Sequence, residues 1–198
     1  MPILSLAVAV LLSSGPSFEG VVHAALVGRG ASGTLTTYLA AAGVRTETEL
    51  TFGSKTLKAV VLVLAQSPEV ALVFDSQTGA WRSQPRGADP RSAPNPLKAE
   101  HLPREKVAGI DCEHWKLSDG AGLELEYWMG HIPGALSLEP MVLKAAQLPG
   151  SVMRAFEENG VRGYPMRSVT RKAGVVEGSF TVEKVESKQL GPEVFQAR

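Results

Sequence analysis

From Phe18 onward, large apolar and polar positions alternate over short stretches, and that period of two predicts strands. Val44, Thr46, Thr48, Leu50 and Phe52 alternate with Arg45, Glu47, Glu49 and Thr51. Such a strand has one buried and one wet face, which favours antiparallel pairing. Residues 59–65 are continuously apolar, and Gln66-Ser67-Pro68 supplies a turn into a further strand over 69–75. Ser76-Gln77-Thr78-Gly79 is the next turn, before Ala80-Trp81-Arg82. Strands are predicted again over 107–117 and 123–129. In the latter, Leu123, Leu125, Tyr127 and Met129 share one face, opposite Glu124, Glu126 and Trp128. The chain closes on two more strands, 164–171 and 175–185, around the turn Lys172-Ala173-Gly174.

Two stretches break the pattern. Pro85, Pro90, Pro94, Pro96 and Pro103 cannot sustain a ladder, so 85–103 reads as a long loop. After Gly130 the period lengthens: Leu138, Met141, Val142 and Ala145 form a helical stripe, Pro149-Gly150 interrupts it, and Val152, Met153 and Phe156 resume it up to Asn159-Gly160. This predicts a helical segment over 136–158, either one short helix or a broken pair. With no internal repeat, residues 18–198 read as a single mainly β (α+β) domain.

Residues 3–12 form an apolar run followed by Ser13-Ser14-Gly15-Pro16-Ser17, resembling the core and cleavage region of a secretory leader. The run is too short to span a bilayer and has no preceding basic residue. Export to the periplasm or beyond is therefore expected, with 1–17 as a signal peptide and no membrane span in the mature chain. Lysine plus arginine number 20 and aspartate plus glutamate 20, so no net field recruits nucleic acid or an anionic membrane. Cys112 is the only cysteine, which excludes an internal disulfide and a multi-cysteine zinc site.

Gly28-Arg29-Gly30-Ala31-Ser32-Gly33 has the spacing of a dinucleotide-binding loop, but that chemistry requires a helix to begin at the third glycine. Thr34-Leu35-Thr36-Thr37-Tyr38 is β-branched and aromatic, so the glycines read as a hairpin turn. His23, His101, His114 and His131 are scattered, and Cys112 with His114 on one strand face supplies two ligands, which do not make a metal site. No G-x-S-x-G elbow occurs, and Glu124 with Glu126 reads as a solvated face. The residues name no catalytic group, and neither a metal nor a cofactor is expected.

Several short stretches resemble an exported bacterial family, the domain of unknown function 4412. They are Phe18-Glu19-Gly20, Gly43-Val44-Arg45, Val73-Phe74-Asp75 before Trp81, Val107-Ala108-Gly109-Ile110-Asp111-Cys112-Glu113, Glu126-Tyr127-Trp128, Gly163-Tyr164-Pro165-Met166 and Val194-Phe195. The family is similar to periplasmic lipoprotein carriers and LppX-like proteins. The resemblance implies a curved antiparallel half-barrel covered by the helical segment. It also implies a cavity for a lipid or lipoprotein acyl chain, lined by Leu125, Tyr127, Met141, Val142, Met153 and Phe156. Arg45 stands where a carrier arginine latches the closed state. The alternative is a structural or protein-interaction module of the envelope with a filled core.

Overall fold

Tight turns set the connectivity of the sheet. Val107 pairs with Ile110 around Ala108-Gly109, and Lys172 with Val175 around Ala173-Gly174. In both loops each residue has positive φ: 48° and 80° in the first, 49° and 78° in the second. This is the mirror-image turn whose twist matches the strands it joins, adopted with alanine at the first position. The computed structural model describes residues 18–76, 78–85, 96–135, 138–146 and 148–197. The expected leader, 1–17, lies outside the described residues, as do residues 86–95 of the expected loop.

Among the described residues eleven strands form one sheet: β1 Gly20–Gly28, β2 Ala31–Ala40, β3 Gly43–Phe52, β4 Lys55–Leu64, β5 Val70–Asp75, β6 Ala80–Pro85, β7 Lys98–Val107, β8 Ile110–Ser118, β9 Leu123–Gly130, β10 Tyr164–Lys172 and β11 Val175–Ser187. Two short helices, α1 Glu139–Ala145 and α2 Gly150–Asn159, sit between β9 and β10. The spatial order is β6-β5-β4-β3-β2-β1-β11-β10-β9-β8-β7, and each neighbouring pair is antiparallel. The first and last strands thus join two meanders in mid-sheet.

This architecture corrects the half-barrel expectation. The fold is α+β, but the ladder is an extended open sheet that ends at β6 and β7 and is neither closed nor strongly curled. A barrel would need those edges to pair. β7 is built against it: Pro103 lacks an N–H, a bulge falls between Leu102 and Glu105, and Lys98, Glu100, Arg104 and Lys106 charge the strand. The same strand corrects the reading of 85–103 as loop throughout, since proline is tolerated on an edge. The strand expected over 107–117 is split by the Ala108-Gly109 turn. Val194 and Phe195 lie in a 3₁₀ turn, Pro192–Phe195.

Cross-strand partners share a face, so the registers sort every side chain. Val22, Thr37 and Thr46 stand on one face with Leu39, Val44 and Val63. This face carries the helices: α1 touches β3, β4 and β10, while α2 touches β7. Val22, Leu39, Val44 and Val63 are buried in one cluster with Met141 and Val142 of α1. Leu117, Leu125, Tyr127 and Met129 are buried in another with Val152, Ala155 and Phe156 of α2. On the opposite, outer face the carboxy-terminal tail seats Phe195 against Ala40 and Leu62.

Gly33 lies inside β2, paired with Leu26 and Leu50. A Cβ there would meet the Glu49 carbonyl oxygen at 1.9 Å, so close backbone approach excludes a side chain. The glycine run is therefore a turn at Arg29-Gly30 followed by a strand, and no helix begins at its third glycine.

Candidate functional site

Between the helices and the sheet lies a cavity of about 220 Å³. Leu26, Leu35 and Phe180 form its apolar floor, and Thr37, Thr46 and Ser168 add hydroxyls. Val142, Ala146 and Leu148 close it from the helical side, with Tyr127, Tyr164 and Pro165 at its flank. The lining is mostly apolar with few polar groups, the usual chemistry of a recognition pocket. Thr37 and Thr46 are buried, their hydroxyls 3.5 Å apart, and Thr37 also hydrogen-bonds the Tyr164 phenol.

The cavity draws together only part of the expected lining. Tyr127 and Val142 line it, whereas Leu125, Met153 and Phe156 belong to the packed cluster under α2 and Met141 to the cluster under α1. Tyr127 and Phe156 meet edge to face, with ring centroids 5.1 Å apart. Sequence reasoning missed Leu26, Leu35, Thr37, Thr46, Ser168 and Phe180. The period-two pattern around Thr46 and Leu50 did mark a buried face, but not which element would cover it.

Towards the hairpin tips the helix-bearing face continues without cover. Phe52 and Leu57 follow Leu50 on that face and are 42% and 50% exposed. Val175, paired with Lys172, stands on it across the sheet and is 49% exposed. The apolar floor of the cavity thus runs out to an open apolar margin.

Burial pushes the phenols of Tyr127 and Tyr164 up to about 12 from the ordinary 10.0, the Thr37 hydrogen bond partly opposing this at Tyr164. The unfolded chain ionises them near 10, so it binds fewer protons than the folded chain between about 10 and 12. Their contribution to stability is full below pH 10 and is lost as pH rises through about 12. The gap corresponds to at most roughly 3 kcal/mol per tyrosine. The urea midpoint is therefore expected to be flat up to about pH 9 and to fall between pH 10 and 12, and Tyr127→Phe should remove about half of that fall. A midpoint that stays level across the window would show these phenols to be hydrated.

Arg45 is on the outer face. Its Nε donates to Glu47 Oε1 at 2.7 Å, and its Nη1 donates to the carbonyls of Val194 at 3.2 Å and Gln196 at 3.5 Å. It thereby fastens the carboxy-terminal tail across β3. Near the amino terminus Glu19 performs a similar task, its carboxylate accepting the Leu190 N–H at 2.6 Å.

The outer face of β7 to β10 holds a second polar group. His114 stacks on Trp128 with centroids 4.0 Å apart, and its Nε2 lies 3.0 Å from Glu126 Oε2. Glu126 also receives Arg171, the Trp128 indole donates to Glu105 at 3.1 Å, and the Arg167 guanidinium carbon lies 4.4 Å from the Trp128 ring centroid. Cys112 is fully buried on the same face, and burial raises its thiol pKa, leaving it a poor nucleophile. Among the described residues no three His, Cys, Asp or Glu side chains are grouped to hold a metal.

No curated protein sequence matches this chain. Among solved structures, a chain of the Pseudomonas aeruginosa MucA/MucB complex has a similar fold, with a TM-score of 0.50 and 10% identity over 91% of this chain and 56% of that one. A crystal structure of MucB gives a TM-score of 0.48 at 10% identity, over 91% of this chain and 57% of the other. The chain thus spans little more than half the length of these MucB structures.

The fold likeness runs to MucB and not specifically to LppX-like lipid carriers, which corrects the lipid or acyl-chain ligand expected from the resemblance. The cavity agrees with that correction. An apolar cavity of about 150 Å³ is filled by one benzene, so 220 Å³ takes little more than one aromatic group, far short of a long acyl chain. Residues 18–197 match the model of the domain of unknown function DUF4412, and the chain belongs to that family.

Proposed function

We propose that this chain is a non-catalytic protein-interaction module, receiving a protein partner on the open margin of its helix-bearing face. Its compartment is the periplasm of the bacterial envelope, in keeping with its family and its MucB-type fold. The observation that carries the reading is the apolar margin of Phe52, Leu57 and Val175, continuous with a partly open cavity. Apolar patches rimmed by polar side chains mark protein contacts. The MucA/MucB structure supplies a precedent for a protein complex built on a related fold.

The test is photo-crosslinking in the living envelope from p-benzoylphenylalanine at position 57, with position 58 as control. Leu57 faces the margin, while Lys58 points to the outer face and pairs with Glu49 at 2.8 Å. A discrete protein adduct is expected from position 57 and none from 58, and Phe52→Glu should abolish it. Phe52 is exposed, so the substitution should change stability by no more than about 0.5 kcal/mol. Adducts of equal yield from both positions, or none from 57, would refute a partner on this face.

A further inference from the structure

The margin is flanked by two cations. Lys55 is the cross-strand partner of Phe52 at the β3–β4 tip, and Lys172 is that of Val175 at the β10–β11 tip. Both lie on the helix-bearing face, by the registers linking Lys55 to Phe52 and Leu50, and Lys172 to Leu123 and Leu125. Both are exposed, and among the described residues neither has an ion-pair partner.

The outer face of the same tips is arranged differently. There Lys58 is satisfied by Glu49, and Arg29 by Glu177 at 3.2 Å. Exposed apolar side chains stand on both faces of the tips, Val27 and Val176 on the outer one, so what sets the helix-bearing face apart is that its two cations are unmatched while Lys58 and Arg29 are paired.

The spacing defines what could match them. From β4 to β10 there are five strand intervals, through β3, β2, β1 and β11, or roughly 24 Å along the sheet at ~4.8 Å each. At ~3.3 Å per residue an extended segment covers that distance with about seven residues. Between Phe52 and Val175 the registers place Ala31, Gly28 and Gly178, small residues that leave the face open, and Leu26 and Leu35 of the cavity floor lie one and two same-face positions further in. The cavity, at about 220 Å³, accepts one large side chain.

Resting on the protein-partner reading above, we infer that the occupant of this margin is an extended protein segment of about seven residues. A large apolar side chain at its centre enters the cavity, and acidic residues near its ends meet Lys55 and Lys172. The apolar anchor supplies affinity, and the two carboxylate contacts fix which segments are accepted and steer their approach.

The probes are two fluorescein-labelled synthetic heptapeptides, Asp-Glu-Ala-Phe-Ala-Glu-Asp and its charge-reversed form Lys-Arg-Ala-Phe-Ala-Arg-Lys, titrated against the whole protein by fluorescence anisotropy. Two exposed ion pairs gained against two repulsions should favour the acidic peptide by about tenfold at low ionic strength, and salt should shrink the gap. Replacing the central Phe by Ser should abolish binding. The double variant Lys55→Glu/Lys172→Glu, altering only exposed side chains, should reverse the preference.

Equal binding of the two peptides, or an unchanged preference in the double variant, would overturn the acidic-segment inference. So would no binding of either peptide while the position-57 crosslink still forms, and in all three cases the protein-partner reading would stand. Loss of that crosslink is the separate result that removes the reading itself.

Discussion

Truncating Phe156 to alanine is expected to lower stability by about 3–5 kcal/mol, the cost of removing a fully enclosed aromatic ring. Phe156 is 1% exposed and packs with Leu117, Met129, Val152 and Val161, its ring edge-on to Tyr127. At its start helix α2 is weakly held, since Pro149 at its N-cap makes no side-chain capping bond and its first turn carries no acidic residue. Phe156 is the largest of the side chains it buries, with Val152 and Ala155 beside it. Ten residues are also too few for a helix to be stable alone, so docking of this ring keeps α2 on the sheet. Urea unfolding should show a lower midpoint with little change in slope. A loss below about 1 kcal/mol would mean that α2 does not depend on this contact.

The second large effect is expected on the outer face. Glu126→Ala removes the carboxylate shared by His114 and Arg171. The Glu126 side chain is 15% exposed and that of His114 8%, so the partners are left in a poorly hydrated place. Breaking such a buried pair costs about 3–5 kcal/mol. Arg171, 29% exposed, can recover some water, which sets the expected loss near the lower figure, about 3 kcal/mol. Glu124→Ala is the matched control two residues away: its pair with Lys116, 2.6 Å apart, is about one-third exposed and should cost no more than about 1 kcal/mol. Equal losses at the two positions would show that burial of the His114, Trp128 and Glu126 group contributes nothing special.

Much of the sheet was legible along the chain. Alternation over 44–52 and 123–129 identified β3 and β9, because a period of two is a local property of a pleated strand. It did not settle burial: Phe52 on the expected buried face is 42% exposed, and Trp128 and Glu126, on the face expected to be wet, are largely enclosed. The failures have local causes too. Pro103 argued against a strand, and only its place at the sheet edge makes β7 possible. Ala108-Gly109 and Ala173-Gly174 carry mirror-image turns without the Asn or Asp that usually announces one. The local sequence therefore does not announce the strand break at Ala108-Gly109, although the same Ala-Gly pair at Ala173-Gly174 reads as a turn between two strand patterns.

The candidate site was legible only in part. Tyr127 and Val142 reach the cavity, but Leu125, Met153 and Phe156 do not, although the local pattern places all five on the apolar side of their own elements. Their separation depends on where α1 and α2 come down on the sheet, which no periodicity encodes. The outer-face role of Arg45 depends on a tail 149 and 151 residues further along the chain.

By itself, then, the sequence determined the β-rich character of this protein, the two-faced strands, the helical interruption after β9 and the strand that follows Gly30, because each arises from neighbours a few residues apart. Tertiary structure alone decided that the sheet stays open between β6 and β7, that a cavity survives beneath two short helices, and that Lys55 and Lys172 flank one apolar margin. Those features bring together residues up to 154 positions apart, from Leu26 to Phe180, and such pairings follow from strand order and register, which local patterns leave unspecified.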